Sequence, residues 1–138
     1  MRTVFTILVL LSARQALCCE CVLPSVSAEV KRSEVVFRGV VTEITDSQIT
    51  FAVQRVFKGR LPASFKMPKL ILTADCSPGF RPTLVKVGNM LLVYAWRADF
   101  FPEGLLTSTC SRTTLASKAT EDFKKLGYGR SPTAVGRH

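Results

Sequence analysis

Two cysteines one residue apart, Cys19 and Cys21, stand far upstream of two others, Cys76 and Cys110. What such a set can do depends on compartment: thiolates ligate metals in reducing cytosol, and cysteines pair as disulfides outside the cell. The residues ahead of the pair argue for export. Arg2 precedes the apolar run Val4-Phe5-Thr6-Ile7-Leu8-Val9-Leu10-Leu11, too short to span a bilayer and of the length of a secretory signal. A cut between Cys18 and Cys19 places small residues, Ala16 and Cys18, three and one positions before it. Cuts after Ala13, Ala16 or Cys19 put Leu11, Arg14 or Leu17 three positions back and fit less well. Loss of residues 1–18 removes Cys18 and leaves an even set of four cysteines. A Cys19–Cys21 bond would close a strained ring, so both should reach downstream, one to Cys76 and one to Cys110, in either order. Each long loop so closed contributes roughly 4 kcal/mol in the chain-entropy model.

Other chemistry is sparse. The one histidine is His138, the last residue, so neither a Ser/His/Asp nor a Cys/His set can be assembled. The adjacent carboxylates Glu121 and Asp122 are expected on the exposed face of a helix. Enzymatic activity is therefore not expected, nor a resident cofactor. Lysine and arginine number 19 against 10 acids. Removing Arg2 and Arg14 leaves 17 minus 10, or +7, which favours anionic partners such as heparan sulfate, other matrix polyanions or acidic protein surfaces. No dense basic cluster stands out: Arg38, Arg55 and Lys58 read as exposed strand faces, and Tyr94, Trp96 and Phe57 as core. Single-stranded nucleic acid suits the charge but not a secreted chain. Neither nucleic-acid nor membrane binding is expected, and the chain reads as a monomer.

The elements that must position the cysteines follow from the pattern. Ser25 can cap a short helix through Arg32. Val35–Ile44 is β-branched, and Ile49–Phe57 alternates up to a stop at Lys58-Gly59, with Thr45–Gln48 as the hairpin link. A third strand is expected over Phe65–Thr73, with Pro68 favouring an edge or bulge. Ser77-Pro78-Gly79 and Arg81-Pro82 mark a loop. Met90–Trp96 and Gly104–Cys110 supply two more strands. Leu115, Ala119, Phe123 and Leu126 then share one helical face, with Thr113 or Thr114 as cap and Gly127 as stop. Tyr128–His138 lacks periodicity and is expected to be a flexible tail. The fold class expected is all-β with short helices: a five-stranded, OB-like closed antiparallel barrel with an early and a C-terminal helix, stapled by disulfides. Residues 19–127 form its single domain.

With Cys19-Glu20-Cys21-Val22-Leu23-Pro24, five further segments recur in order: SEVVFRG (33–39), VQRVFKG (53–59), TADC (73–76), GLLTSTC (104–110) and LASKATEDF (115–123). Together they resemble the N-terminal, netrin-like domain of the tissue inhibitors of metalloproteinases, whose mature chains open on Cys-x-Cys-x-Pro. The resemblance implies bonds Cys19–Cys76 and Cys21–Cys110 and the same five-stranded barrel. It implies extracellular zinc metalloproteinases as partners and inhibition through Cys19, whose free α-amino group and carbonyl oxygen would chelate the protease's catalytic zinc. Such a zinc keeps one position for water or substrate. The α-amine, with a reference pKa near 8, is partly neutral at physiological pH, and the metal draws it further toward neutrality. The zinc belongs to the target.

By the same resemblance Glu20 would enter the S1′ pocket, Val22 and Leu23 would extend the wedge, and Thr73, Ala74, Asp75 and Ser77 would flank it. Glu20 stands where the well-known inhibitors carry Ser or Thr. A carboxylate in an apolar pocket is disfavoured unless it meets a base, which implies a narrowed target range or lost inhibition. Neither the family's third bridge in this domain nor its C-terminal domain has a counterpart, so partners that use the latter are not expected. The alternative reading is a non-inhibitory netrin-like extracellular module binding matrix glycosaminoglycan or a protein.

Overall fold

The computed structural model describes residues 21–70 and 76–134. Residues 1–18, expected as a signal segment, Cys19, Glu20 and the stretch Thr73–Asp75 lie outside them. The chain runs α1 (Val26–Arg32), β1 (Val35–Ile44), β2 (Gln48–Lys58), β3 (Ser64–Pro68), β4 (Met90–Ala98), β5 (Phe101–Leu106), β6 (Thr114–Leu115) and α2 (Thr120–Leu126). The strands form one antiparallel sheet in the order β3-β2-β1-β4-β5, with β6 added on β4.

Alternation along β1 and β4 sends Val35, Phe37, Val41, Leu91, Val93 and Ala95 to the concave side of the sheet. There they meet Ile49, Phe51, Met67 and Phe80 in the main core, with Phe37 edge-on to Phe51 at 5.4 Å. The opposite face is also covered: Val36, Leu92 and Tyr94 pack under Ala119, Phe123 and Leu126 of the α2 region. That is why β1 and β4 read as near-continuous apolar runs and not as strict alternation. Register shifts between β1 and β2 at Val36/Phe37, Arg38/Gly39 and Val41/Glu43 sharpen the local twist and curl the sheet into a half-barrel. The outermost strands β3 and β5 approach one another: a Cβ on Gly104 would lie 3.3 Å from the Pro68 ring.

The early helix is as expected, with the Ser25 hydroxyl accepting from the Ala28 N–H. β3 lies on the sheet edge and stops at Pro68. Leu70 leaves it to accept a hydrogen bond from the Phe80 N–H. Gly79 makes this possible: its φ is 108°, and a Cβ there would collide with the Leu70 carbonyl.

Other expectations change. The fifth strand ends at Leu106, because Thr107–Cys110 turns and pairs with the Ser77–Gly79 loop instead. The helix expected from Leu115 starts at Thr120, since Thr114 and Leu115 form a sixth strand opposite Leu92 and Leu91. Thr113 is no cap: its hydroxyl is engaged by Thr107 and by the Tyr94 N–H, while Leu115 packs on the main core. Gly127 ends α2 with φ 75° as expected. Residues 128–134, expected as part of a flexible tail, pair with β2 and the loop after it. Arg130 and Val56 exchange two backbone hydrogen bonds, and the Thr133 N–H donates to Leu61 O.

Candidate functional site

The loop Cys76–Phe80 is zipped to Thr107–Thr109. The Gly79 N–H donates to Thr107 O at 2.8 Å, the Thr109 N–H to Ser77 O at 3.0 Å, and the Ser77 N–H to Thr109 Oγ1 at 3.0 Å. Arg81 Nε adds a bond to Thr109 O at 2.9 Å. Cys76 and Cys110, 34 residues apart in the chain, thereby come to the same end of the sheet.

Cys21 is bonded to Cys110, with Cα atoms 5.0 Å apart and a sequence separation of 89. The Cys76 sulfur, also disulfide-bonded, lies 3.8 Å from that of Cys21. All three sulfurs fall within 4.8 Å of one another. Sulfurs committed to disulfides offer no thiolate, so this cluster is a staple and not a metal site. Replacing Cys21 and Cys110 together by Ala is expected to lower stability by about 2–4 kcal/mol. Thermal unfolding against the parent chain measures it; an unchanged midpoint would mean that the bond constrains nothing.

Beyond the staple the chain emerges as an apolar ridge, with Val22 83% and Leu23 50% exposed. Beside Cys76 a shallow cavity of ≈ 250 Å³ is lined by Pro78, Trp96, Phe100 and Leu106 among others, and Phe100 is itself exposed. Trp96 is only half-buried, capped by the Arg32 guanidinium at 4.2 Å from its ring. Ser77, expected beside the ridge as a contact residue, is buried. Cys19, Glu20, Thr73, Ala74 and Asp75 lie outside the described residues, so among the expected contact residues the structure brings together Cys21, Val22, Leu23 and the Cys76–Ser77 loop.

What holds the ridge was not legible in the chain. Arg112 Nη1 donates to Pro24 O at 3.1 Å, while its Nε and Nη2 grip the two carboxylate oxygens of Asp122 at 2.8 and 2.6 Å. The Tyr94 hydroxyl donates to the same carboxylate at 2.7 Å. A core strand, the C-terminal helix and the N-terminal segment are thus tied through the Arg112–Asp122 ion pair. Asp122 is buried, which corrects its expected place on an exposed helical face. Burial alone would raise its pKa. Hydrogen bonds from Arg112 and Tyr94, with the Arg112 charge, outweigh that and hold the carboxyl below the usual carboxylate range. Burial first, then donation to Asp122, pushes the Tyr94 phenol far up. The arginine two residues after Cys110 was the available signal, but no spacing rule links it to Asp122.

The chain matches no protein-family model, and no curated protein matches it. Among the described residues no helix is long and apolar enough to cross a membrane.

Proposed function

We propose that this chain is a secreted inhibitor of zinc metalloproteinases whose mature form starts at Cys19 and coordinates the target's zinc through the amine and carbonyl oxygen of that residue. The observation that carries the reading is the meeting of the Cys21, Cys76 and Cys110 sulfurs beside the exposed Val22-Leu23 ridge. A terminus can act as a chelator only if it is held in place before it binds, because ordering a loose segment opposes association. Cys21 is anchored to Cys110, and a second bond, Cys19–Cys76, would anchor the residue that bears the amine. The Arg112 bond to Pro24 O restrains the same segment from its other side.

A closed, five-stranded OB-like barrel belongs to this reading, and the approach of Gly104 of β5 to Pro68 of β3 supports it. Glu20 would enter the S1′ pocket, so the proposed targets are proteases with a basic group there. Intact-mass measurement of the secreted chain, followed by inhibition assays on a panel that includes such a protease, tests the proposal. A mass starting at Cys19 with inhibition in the panel is the expected outcome. Residues retained ahead of Cys19 would end the chelation mechanism.

A further inference from the structure

The outer face of the sheet carries an arrangement that the N-terminal ridge does not use. Arg38 of β1 and Arg55 of β2 are directly opposite one another in the antiparallel register. Like charges so placed repel. Neither guanidinium has a hydrogen bond or carboxylate partner among the described residues, and Arg38 Nε is buried with no acceptor. An unmet buried donor is destabilising, and more so on a charged group. The pair opens into a groove of ≈ 680 Å³ walled by Phe57, Phe123, Lys124 and Tyr128, with no acidic residue in its lining.

The nearby acids are already engaged: Asp122 by Arg112 and Tyr94, Glu121 by Lys124 at 3.1 Å. That last pair is exposed on both sides, so Lys124 is free to swing at little cost. The Phe123 ring lies 5.8 Å from the Arg38 guanidinium and shields it on one side. Three cationic donors from β1, β2 and α2 therefore converge on one space with aromatic walls.

We propose that this groove binds a sulfate or phosphate ester, its charged head held between Arg38 and Arg55 and its organic body lying on Phe57 and Phe123. A guanidinium pairs two N–H groups with two oxygens of such a head, and a second guanidinium and an ammonium take the rest. An oxyanion between the two guanidinium groups cancels the cross-strand repulsion. The aromatic walls favour an ester over the bare ion. The residues involved are separate from Cys21, Val22, Leu23 and the Cys76–Ser77 loop, so the site stands or falls independently of protease inhibition.

Titration calorimetry of the secreted chain with inorganic sulfate, inorganic phosphate, nitrophenyl sulfate, nitrophenyl phosphate and a sulfated heparin tetrasaccharide tests the site. At least one ester should bind about tenfold or more tighter than the inorganic ions, and Arg38→Gln and Arg55→Gln should each weaken it by about tenfold. Arg38→Lys should restore part of the loss. Arg55 is exposed on β2, so Arg55→Gln reads the site even if the Arg38 variant fails to fold. Binding confined to the nitrophenyl esters identifies a small aromatic ester as the ligand type. Arginine-dependent binding of the tetrasaccharide identifies a sulfated saccharide chain carrying the same head group. Ester binding no tighter than that of the inorganic ions, or binding unchanged in both glutamine variants, overturns the proposal.

Discussion

Under the proposed mechanism, a chain carrying one alanine ahead of Cys19 should lose at least about a thousandfold in potency against any metalloproteinase that the parent inhibits, or roughly 4 kcal/mol. The added residue turns the α-amine of Cys19 into an amide, whose nitrogen lone pair is delocalised and no longer ligates zinc. It also moves the new amine one residue beyond the anchored segment. Acetylating the native amine should do the same without adding bulk to the chain. Thermal unfolding should stay put in both, because Cys21–Cys110 and the Arg112 contacts lie downstream of the change. Inhibition constants with the unfolding midpoint as control make the measurement. Potency retained in the extended chain would show that the terminus does not reach the metal.

Asp122→Ala is expected to lower stability by about 3–5 kcal/mol, because it leaves the largely buried Arg112 guanidinium without its counter-charge. For a domain of this size that corresponds to a fall of at least about 10 °C in the unfolding midpoint. Tyr94→Phe, which removes one donor and leaves the ion pair intact, should cost only about 1 kcal/mol.

The carboxyl's lowered pKa fixes the direction of the pH effect. Above the unfolded-state value, near pH 4, the native chain holds the full contribution of the ionised Asp122. The contribution is lost as pH falls through the lower folded-state value, where both forms are protonated. Asp122→Ala should therefore lose least relative to the parent in strong acid and most at neutral pH. Urea midpoints measured across the acid range report this, and a penalty independent of pH would remove the ion pair from the explanation. Since Arg112 also binds Pro24 O, the Asp122 variant should loosen the ridge, seen as faster hydrogen exchange at Val22 and Leu23.

Local patterns carried much of the architecture. The Ser25 cap, the apolar runs of β1 and β4, the alternation of β2 and the glycine stop at Gly127 all act over a few residues, so composition and spacing sufficed to place them. The bond between Cys21 and Cys110 agreed with the family resemblance, where cysteine count and ring strain alone had left two pairings. Residues 114–118 misled for a physical reason. Leu115 lies on the same helical face as Ala119 and Phe123, yet the exposed backbone of β4 pairs with Thr114 and Leu115, and those hydrogen bonds outweigh helical periodicity.

Only the tertiary structure decided the rest, because it depends on residues that meet from distant parts of the chain. Asp122 looked like a solvated helix acid until Arg112 and Tyr94 were found on either side of it. Arg38 and Arg55 looked like ordinary exposed strand cations, and only the β1–β2 register set them face to face beneath α2. Residues 128–134 show no periodicity of their own, since their partners are backbone groups of Val56 and Leu61 supplied by another part of the chain. Short-range propensity is written in neighbouring side chains, whereas the pairing of charges and free backbone groups is settled when the sheet curls and brings its edges, its helix and its N-terminal segment together.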